Sequence, residues 1–479
     1  MPRAAWVCAL VAFLNATAWG IVVPAFQVPD EQVHYAYAEY FAQHGRPPAA
    51  RPHDTQSSSE NAALTALKFR EMRFSSENGA IWSASEQANM KAALQQDADR
   101  SDGNGGGKEV AAEPPLFYAL QAVPYTVAGG GTVLARLQLM RLLSALLAGA
   151  TALFAYLFVR EALPALPETW TVGGLGVAFL PMFAFMSSGV NSDALLYAAS
   201  AAIFFLLARG FRRGLTRGLA VAIGAATAVA LQSKFNAFGL LPGVALGLLM
   251  MSAARERALR PRTLALPALA LAIAIAPMLL EMALNATVWH RPTVGATASN
   301  FRTSSIHPAP GAALAYLWEF YVVPLPGMTR YLPGVPILDL WEKGFVGWFG
   351  WLDTSFRPLV YDLALVPLAA VSLLAARTLV TGRRRLRGRL GELLTYATLV
   401  AALMAFVGIA SYISYLRYHQ SVAQTRYLFP LLPLYGALLA LAARGAGRRW
   451  APVLGTAIVA LAIGHSLFSQ LMVLARYYA

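Results

Sequence analysis

The stretch "LLSALLAGATALFAYLFVREALPALPE" (Leu142–Glu168) indicates the fold class of this chain. It runs without a charge from Leu142 to Val159, then becomes polar at Arg160 and contains two prolines further on. A helix needs an apolar run of about this length to cross roughly 30 Å of hydrocarbon. Arg at the end of such a run is typical of loops on the cytoplasmic side of a membrane.

The composition of the whole chain agrees with a membrane protein. Hydrophobic residues make up 57% of the 479 residues and charged residues only 13%, whereas soluble proteins carry about 25% charge. The net charge of +14 would suggest nucleic-acid binding in a soluble protein. Here the arginines cluster in short loops between apolar runs, so a positive-inside topology explains them, and no nucleic-acid partner is predicted.

Further apolar runs predict an all-α polytopic membrane protein with about eleven transmembrane helices. The first run is Ala4–Phe26, which we interpret as an uncleaved helix because it is longer than the apolar part of a signal peptide. The other runs are approximately Ala135–Phe158, Thr169–Phe185, Ala194–Ala208, Gly218–Leu231, Phe235–Met251, Thr263–Leu284, Val360–Ala376, Leu393–Tyr412, Tyr427–Ala443 and Ala451–Leu474.

This topology places two long segments on the extracytoplasmic side of a single integral membrane domain, residues 1–479. Residues 27–132 form the first outer loop, and residues 289–359 form a second large one. Within the first loop, Glu113–Gly131 is apolar but short, and a spanning helix there would invert all the Arg-rich loops that follow. We therefore predict juxtamembrane or re-entrant helices in the first outer loop.

Polar residues recur at the outer ends of the predicted helices. Such positions are costly unless the side chains face a cavity or a partner, so their recurrence predicts one outward-facing polar cavity. The residues that the loops supply to it are Asp30, Glu31, His34, Asn191, Asp193, Gln232, Lys234, Arg417, His419, Gln424 and Arg426.

Each of these residues also has a structural explanation that the sequence leaves open. Asp30 and Glu31 follow a proline and suit the N-cap and first turn of a helix. Asn191 or Ser192 suits the cap of the next helix. Lys234 suits a side chain that extends to the membrane interface, and Arg426 suits an anchor for lipid phosphates.

The chemical interpretation connects the same residues. A carboxylate can act as general base, taking a proton from an acceptor hydroxyl as that hydroxyl attacks an activated carbon. Nearby Lys and Arg can hold a phosphate leaving group through charge-assisted hydrogen bonds. Outside the membrane there is no nucleotide pool, so the donor would be attached to a lipid, and apolar helices beside the cavity would suit a polyprenyl tail.

Several short motifs resemble the domain of unknown function 2142 family of bacterial membrane proteins. More distantly, the chain resembles the protein mannosyltransferase and aminoarabinose transferase group of the C-type glycosyltransferase superfamily. The motifs occur in this order over nearly the whole chain: "PDEQVHYAY", "EPPLFYAL", "RLLSAL", "NSDALL", "SKFNAFGLLP" and "QTRYLFPLLP".

The resemblance implies a C-type glycosyltransferase-like bundle and an inverting transferase that uses a polyprenyl-phosphate sugar. It implies that Asp30 is the catalytic carboxylate, with Glu31 beside it. His34 lies one turn later on the same helical face, so we predict it as a third catalytic residue. Lys234, Arg426, Arg417 and Arg141 are the residues that we predict bind the donor phosphate. Asn191, Asp193, Gln424, Tyr427 and Glu113 are the predicted substrate-binding residues. Glu113 is a departure from the mannosyltransferase group, in which a basic residue or His usually precedes the Pro-Pro-Leu element.

The remaining expectations concern metal, location and competing functions. Asp30, Glu31 and Asp193 could supply oxygen ligands to Mg²⁺ or Mn²⁺, although no spacing requires a metal, and the single cysteine excludes a Cys-based site. We expect a bacterial inner membrane protein whose active site faces the periplasm or cell exterior, with a glycan or lipid acceptor. A transporter and a polysaccharide polymerase or ligase are the alternative functions.

Overall fold

A computed structural model describes residues 1–49, 56–79, 83–95, 99–256, 261–291, 310–332 and 334–479. Within these residues the backbone is mostly helical. The only strands of the described residues are β1 (Trp348–Phe349) and β2 (Thr354–Ser355), which pair antiparallel. The prediction of an all-α chain is therefore confirmed.

The helices follow the apolar runs, and several begin at a residue whose hydroxyl caps them. Ser57, Thr132 and Thr216 each accept the N–H of the residue three positions later. The bounds are α1 (Arg3–Val22), α2 (Glu31–His44), α3 (Ser58–Ala66), α4 (Phe69–Met72), α5 (Ala84–Gln95), α6 (Lys108–Ala111), α7 (Leu116–Val127), α8 (Val133–Ala162), α9 (Trp170–Ala178), α10 (Pro181–Met186), α11 (Asp193–Arg213), α12 (Arg217–Leu231), α13 (Leu241–Glu256), α14 (Ala265–Thr287), α15 (Pro310–Tyr321), α16 (Ile337–Val346), α17 (Pro358–Thr381), α18 (Arg383–Leu386), α19 (Leu390–Tyr418), α20 (Leu432–Gly445) and α21 (Ala451–Tyr478). Short 3₁₀ helices cover Pro167–Thr169, Phe235–Leu240, Pro261–Leu264, Arg387–Arg389 and Thr425–Leu431.

Among the described residues, 9 helical stretches are long and apolar enough to cross a membrane. The predicted count of eleven is not confirmed, and the difference lies in two of the predicted segments. Thr169–Phe185 is divided into α9 and α10, because Pro181 begins α10 and cannot continue the backbone hydrogen bonds of α9. Helix α12 is apolar but has only 15 residues.

Helix α8 is central to the amino-terminal half of the bundle and packs against α1, α9, α11 and α20. Glycines allow the closest approaches. A Cβ atom on Gly149 of α8 would lie 2.9 Å from the carbonyl oxygen of Ala9 in α1, and one on Gly173 of α9 would lie 2.6 Å from that of Gly436 in α20. Small residues at helix contacts are typical of membrane bundles, where van der Waals packing drives association.

The first outer loop folds over one end of this bundle. It contains α2 to α7, and α7 packs against both α2 and α8. With 12 residues, α7 is shorter than the roughly 20 residues of a membrane span. The second large loop contains α15, α16 and the β1–β2 pair, and residues 292–309 and 333 of that loop lie outside the described residues.

Asn15 joins three helices within the apolar part of the bundle. Its Nδ2 donates to the carbonyl oxygen of Ala178 at the end of α9, at 2.9 Å. Its Oδ1 accepts from Gln470 Nε2 at 3.0 Å and from Ser466 Oγ at 3.3 Å, both on α21. One buried amide thus holds α1, α9 and α21 together, as polar groups do between membrane helices.

We expect Asn15→Ala to lower the free energy of unfolding by about 1–2 kcal/mol, because it leaves polar groups on two other helices without this partner. Thermal unfolding in detergent measures the effect. Thr17→Ala is the matched control, since the Thr17 hydroxyl donates to Phe13 in the same helix. Equal losses in the two variants would contradict the bridging role.

Candidate active site

Asp30 is held in an unusual backbone conformation at the start of α2. Its φ is 67°, in the left-handed region that costs a residue other than glycine about 1–2 kcal/mol. It occupies the N-cap position, but its side chain makes no capping hydrogen bond. Its Oδ2 instead accepts a 2.7 Å hydrogen bond from Arg426 Nη2. Capping therefore does not explain the Asp30 side chain, and Asp30 connects the first outer loop to the last one.

Glu31, the next residue, points in a different direction and is fully buried. Its Oε1 and Oε2 accept from Nε and Nη2 of Arg141 at 2.8 Å and 2.6 Å. The backbone N–H groups of Phe26 and Val190 donate to the same carboxylate at 2.9 Å and 3.0 Å. Arg141 also donates to the carbonyl oxygens of Gly20, Val23 and Pro24. Both side chains thus form a structural ion pair inside the protein.

A second cluster of charges lies where α11 begins, where α12 ends and in the Thr425–Leu431 helix. Lys234 Nζ lies 2.9 Å from Asp193 Oδ1 and 3.9 Å from Glu113 Oε1. Arg426 Nε lies 3.9 Å from Asp193 Oδ2. Asp193 is the first residue of α11, where the helix dipole favours a carboxylate. The chain thus brings Asp30, Asp193, Lys234 and Arg426 together, although they are far apart in sequence.

Glu113 extends this cluster towards α2. Its Oε2 accepts hydrogen bonds from Ser192 Oγ at 2.7 Å and from Tyr118 Oη at 2.8 Å. The Tyr118 hydroxyl also lies 2.8 Å from His34 Nδ1. Because the Tyr118 hydroxyl donates its proton to Glu113, it accepts from His34, which places the imidazole proton on Nδ1.

The exposure of the carboxylates separates their roles. The Asp30 side chain is 39% exposed, whereas the side chains of Asp193 and Glu31 are 1% and 0% exposed. Glu113 is intermediate at 16%. A carboxylate must reach the proton that it abstracts, so Asp30 is the acidic residue of this cluster best placed to meet an entering molecule.

Arg426 has unused hydrogen-bonding capacity. Its side chain is 7% exposed, and its Nη2 donates to Asp30. Its Nε and Nη1 form no hydrogen bond with any of the described residues. A buried guanidinium with unmet N–H groups is a site where an anion would be favourable.

The electrostatics of the site shift several pKa values. Burial raises the pKa of Asp30, but the positive charge and hydrogen bond of Arg426 outweigh it and hold the pKa below the usual value. Burial, together with Lys234, lowers the pKa of His34 to about 3, so this imidazole is neutral at pH 7. Burial raises the pKa of Glu113 despite the nearby Lys234. Burial disfavours the charged form of Lys234, but Asp193 and Glu113 raise its pKa above the usual value.

The other predicted site residues differ in where they lie relative to the charged cluster. Asn191 Oδ1 accepts from the N–H of Asp193 at 3.0 Å, and its Nδ2 donates to Pro29 at 3.2 Å, so it caps α11 and ties it to the first loop. The ring of Tyr427 lies 5.3 Å from the Arg426 guanidinium and 5.9 Å from Lys234 Nζ. Gln424 lines a small cavity next to Arg426. Arg417 lies in the last turn of α19, and the ion pairs of the described residues do not join it to the cluster.

The arrangement does not fit a metal bound by Asp30, Glu31 and Asp193. The Glu31 oxygens already accept from Arg141 and two backbone N–H groups. Asp30 is paired with Arg426 and Asp193 with Lys234. Within the described residues there is no group of three or more His, Cys, Asp or Glu side chains that could hold a metal ion.

The sequence alone did not predict the roles of Tyr118 and Arg141. Tyr118 links Glu113 to His34, and the signal for it was its place in the "EPPLFYAL" motif, five residues after Glu113. Arg141 was expected to bind a phosphate, but its N–H groups bind Glu31 and backbone carbonyl groups. The sequence places Arg141 on an apolar helix and does not tell which carboxylate faces it.

Comparisons with known proteins identify the family and the fold. A profile of the family described as "Predicted membrane protein (DUF2142)" matches residues 13–435. No curated protein matches the sequence significantly. The crystal structure of ArnT from Cupriavidus metallidurans bound to undecaprenyl phosphate has a TM-score of 0.51 and 17% identity, covering 96% of this chain and 64% of that chain.

A second solved structure is more distant. The oligosaccharyltransferase of Archaeoglobus fulgidus in the apo form has a TM-score of 0.43 and 12% identity, covering 99% of this chain and 56% of that chain. The chain therefore shares the fold of ArnT, and it spans less than two thirds of the length of ArnT.

We expect Arg141→Met to destabilise the protein by about 3–5 kcal/mol, because it leaves the Glu31 carboxylate buried without a countercharge. Thermal unfolding in detergent measures this loss. Lys343→Met is the comparison, since it removes the cation of an ion pair whose carboxylate, Asp339, is 57% exposed and stays in contact with water. Equal unfolding temperatures for the wild type and Arg141→Met would contradict the structural role of the pair.

Proposed function

The chain belongs to the DUF2142 family of membrane proteins, and we propose that it is a glycosyltransferase that moves a sugar from a polyprenyl-phosphate donor to a hydroxyl acceptor. One observation carries the proposal. The buried Arg426 has N–H groups that are unused among the described residues, and the exposed carboxylate of Asp30 is bonded to its Nη2. Transfer from a phosphate donor needs a cation for the phosphate and a base for the acceptor, and here the two are adjacent.

Arg426 and Lys234 are the proposed ligands of the donor phosphate. Arg426 offers the planar geometry that binds two phosphate oxygens, and Lys234 adds a point charge. Both are nearly buried, at 7% and 9% exposure, so their attraction for an anion is weakly screened. The structure of ArnT was determined with undecaprenyl phosphate bound, which supports a lipid-linked phosphate as the donor class here.

An apolar cavity supports the lipid part of the proposal. Gly344 and Arg426 line a small cavity, and the residues after Gly344, Phe345 and Val346, line a second cavity of about 570 Å³. Apolar side chains of α17 and α21 complete much of its wall, among them Leu363 and Phe468. A polyprenyl chain bound there would have its phosphate near Arg426 without exposing the chain to water.

The proposed reaction is a single displacement. Asp30 accepts the proton of the acceptor hydroxyl while the hydroxyl oxygen forms a bond to the anomeric carbon of the sugar. The bond from that carbon to the phosphate oxygen breaks, and polyprenyl phosphate leaves with the electron pair, stabilised by Arg426 and Lys234. Attack opposite the leaving group inverts the anomeric configuration. Glu31 is not available as a second base, because Arg141 and backbone N–H groups occupy its oxygens.

We further propose that the protein lies in a bacterial inner membrane with this site facing the periplasm or cell exterior. Arg212 and Arg213, at the end of α11 opposite Asp193, pair with Glu161. Under the positive-inside rule this basic end faces the cytoplasm. The acceptor is then a glycan or lipid of the cell envelope.

We expect Asp30→Asn to lower the rate of sugar transfer by about 10²- to 10⁴-fold, because the substitution removes the base and keeps the size of the side chain. The measurement is transfer of radiolabelled sugar from a panel of polyprenyl-phosphate sugars by purified protein in lipid. Asp339→Asn is the matched control, since Asp339 is an exposed carboxylate that pairs with Lys343.

Two outcomes would redirect the assignment. Equal transfer by wild type and Asp30→Asn would show that another group is the base. If neither protein transfers sugar from any donor in the panel, the outward polar cluster would instead favour transport.

The pH dependence of kcat/KM tests the pairing of Asp30 with Arg426. In the wild type the ionised base is retained down to acidic pH, because Arg426 holds the pKa of Asp30 below 3.8. Removing Arg426 leaves burial as the dominant influence, which raises the pKa of Asp30. We expect the acid limb of the profile to move to higher pH in Arg426→Gln, together with weaker donor binding. An unchanged acid limb would contradict the pairing.

A further inference from the structure

A polar cluster that is separate from the candidate active site lies on α2, two turns after Glu31 and within the first outer loop. Glu39 of α2 and Glu60 of α3 are 2% and 0% exposed. The hydroxyl of Tyr125 donates to Glu39 Oε1 at 2.8 Å. An isolated carboxylate in the protein interior is very costly unless it is paired, protonated or bound to a metal ion, so these two groups require an explanation.

Glu60 in particular has no visible partner. It lies three residues after the N-cap Ser57, the position from which a glutamate normally bonds back to the capping residue. Ser57 Oγ does accept the N–H of Glu60, at 3.1 Å. However, Oε1 and Oε2 of Glu60 form no hydrogen bond with any described residue. The buried hydroxyl of Tyr35 also forms no hydrogen bond with any described residue. Ser57 links the two residues, because its hydroxyl accepts the N–H of Glu60 and also forms a hydrogen bond with the Glu39 carboxylate.

No described basic group neutralises this pair at short range. Within the described residues, the salt bridges shorter than 4.0 Å involve neither Glu39 nor Glu60. Arg136 and Arg100 act on Glu39 only as nearby charges. Arg136 donates instead to the carbonyl oxygens of Gly131 and Tyr125 at 3.2 Å, and its guanidinium lies over the Tyr125 ring at 4.4 Å.

We propose that Glu39 and Glu60 bind a calcium ion that joins α2 to α3. Two carboxylates supply four oxygen atoms, and the hydroxyls of Ser57 and Tyr125, which bond to Glu60 and Glu39, are further oxygens. The unpartnered Tyr35 hydroxyl interacts electrostatically with both carboxylates and is the third hydroxyl of the proposed set. Such an all-oxygen set suits a hard cation with flexible geometry, which is Ca²⁺ rather than Zn²⁺. The carboxylates are enclosed by protein, and Mg²⁺ usually retains several waters.

The competing occupant is a proton. Burial raises the pKa of Glu39 and raises that of Glu60 well above its usual value, so the empty pair would bind a proton. Calcium would displace that proton on binding. The site would stabilise α2, whose first turn positions Asp30, but it holds no part of the proposed transfer chemistry. Its test therefore does not depend on the transferase assay.

The experiment compares wild type, Glu60→Gln and Glu86→Gln as purified proteins freed of metal with a chelator. Glu86 is the matched control, because it is an exposed carboxylate of the same loop that pairs with Lys68. We expect wild type and Glu86→Gln to bind about one equivalent of Ca²⁺ and to melt at a higher temperature when CaCl₂ is added. Glu60→Gln should lose both responses.

Glutamine resembles a protonated glutamate, so Glu60→Gln also tests the alternative. If wild type binds no Ca²⁺ and Glu60→Gln is equally or more stable, a shared proton occupies the site and the proposal is wrong. If Glu60→Gln does not fold, the wild type decides the question alone. A wild-type melting temperature that neither Ca²⁺ nor a chelator changes at neutral pH would also overturn the proposal.

Discussion

The ion pair between Glu31 and Arg141 is the interaction on which the site depends. Arg141 reaches from α8 to the carbonyl groups that end α1, and Glu31 accepts from the backbone before α2 and before α11. Removing either partner would leave a charge buried in a region of low dielectric constant. This pair therefore holds the starting point of α2, and with it the direction of Asp30, relative to α1, α8 and α11.

Next to this ion pair, one guanidinium lies between two carboxylates, the partly exposed Asp30 and the buried Asp193. Arg426 bonds to Asp30 and lies near Asp193. In the proposed reaction the donor phosphate binds Nε and Nη1 of Arg426, which form no hydrogen bond with the described residues, while Nη2 keeps its bond to Asp30. The negative charge of the phosphate would raise the pKa of Asp30. Donor binding would thereby make Asp30 a stronger base.

The outer loop supplies the other wall of this site through α7. Its packing against α2 brings Tyr118 between His34 and Glu113. Neutral His34 and the hydrogen-bonded Glu113 add polar groups without adding a third cation to Arg426 and Lys234. Glu113 is therefore accommodated by Lys234, Ser192 and Tyr118.

The sequence by itself determined that the chain is an all-α membrane protein. Hydropathy and segment length are local properties of the sequence, and the thickness of the bilayer sets the length of apolar helix that can cross it. It also indicated that Asp30, Asp193, Lys234 and Arg426 share one face, since all four lie at helix ends on the side opposite the Arg-rich loops. In the structure these four side chains lie close together, and their catalytic roles stay predictions.

Only the tertiary structure decided which adjacent residue does what. Asp30 and Glu31 are neighbours in sequence, yet the positive φ of Asp30 turns its side chain to Arg426 while Glu31 enters the interior. In the same way Arg141 pairs with the buried Glu31 and not with a group of the candidate active site. Helix α9 ends at Ala178, and Pro181 begins α10 as a separate helix. Side-chain direction and pairing depend on which helices pack together, and residues more than a hundred positions apart set that packing.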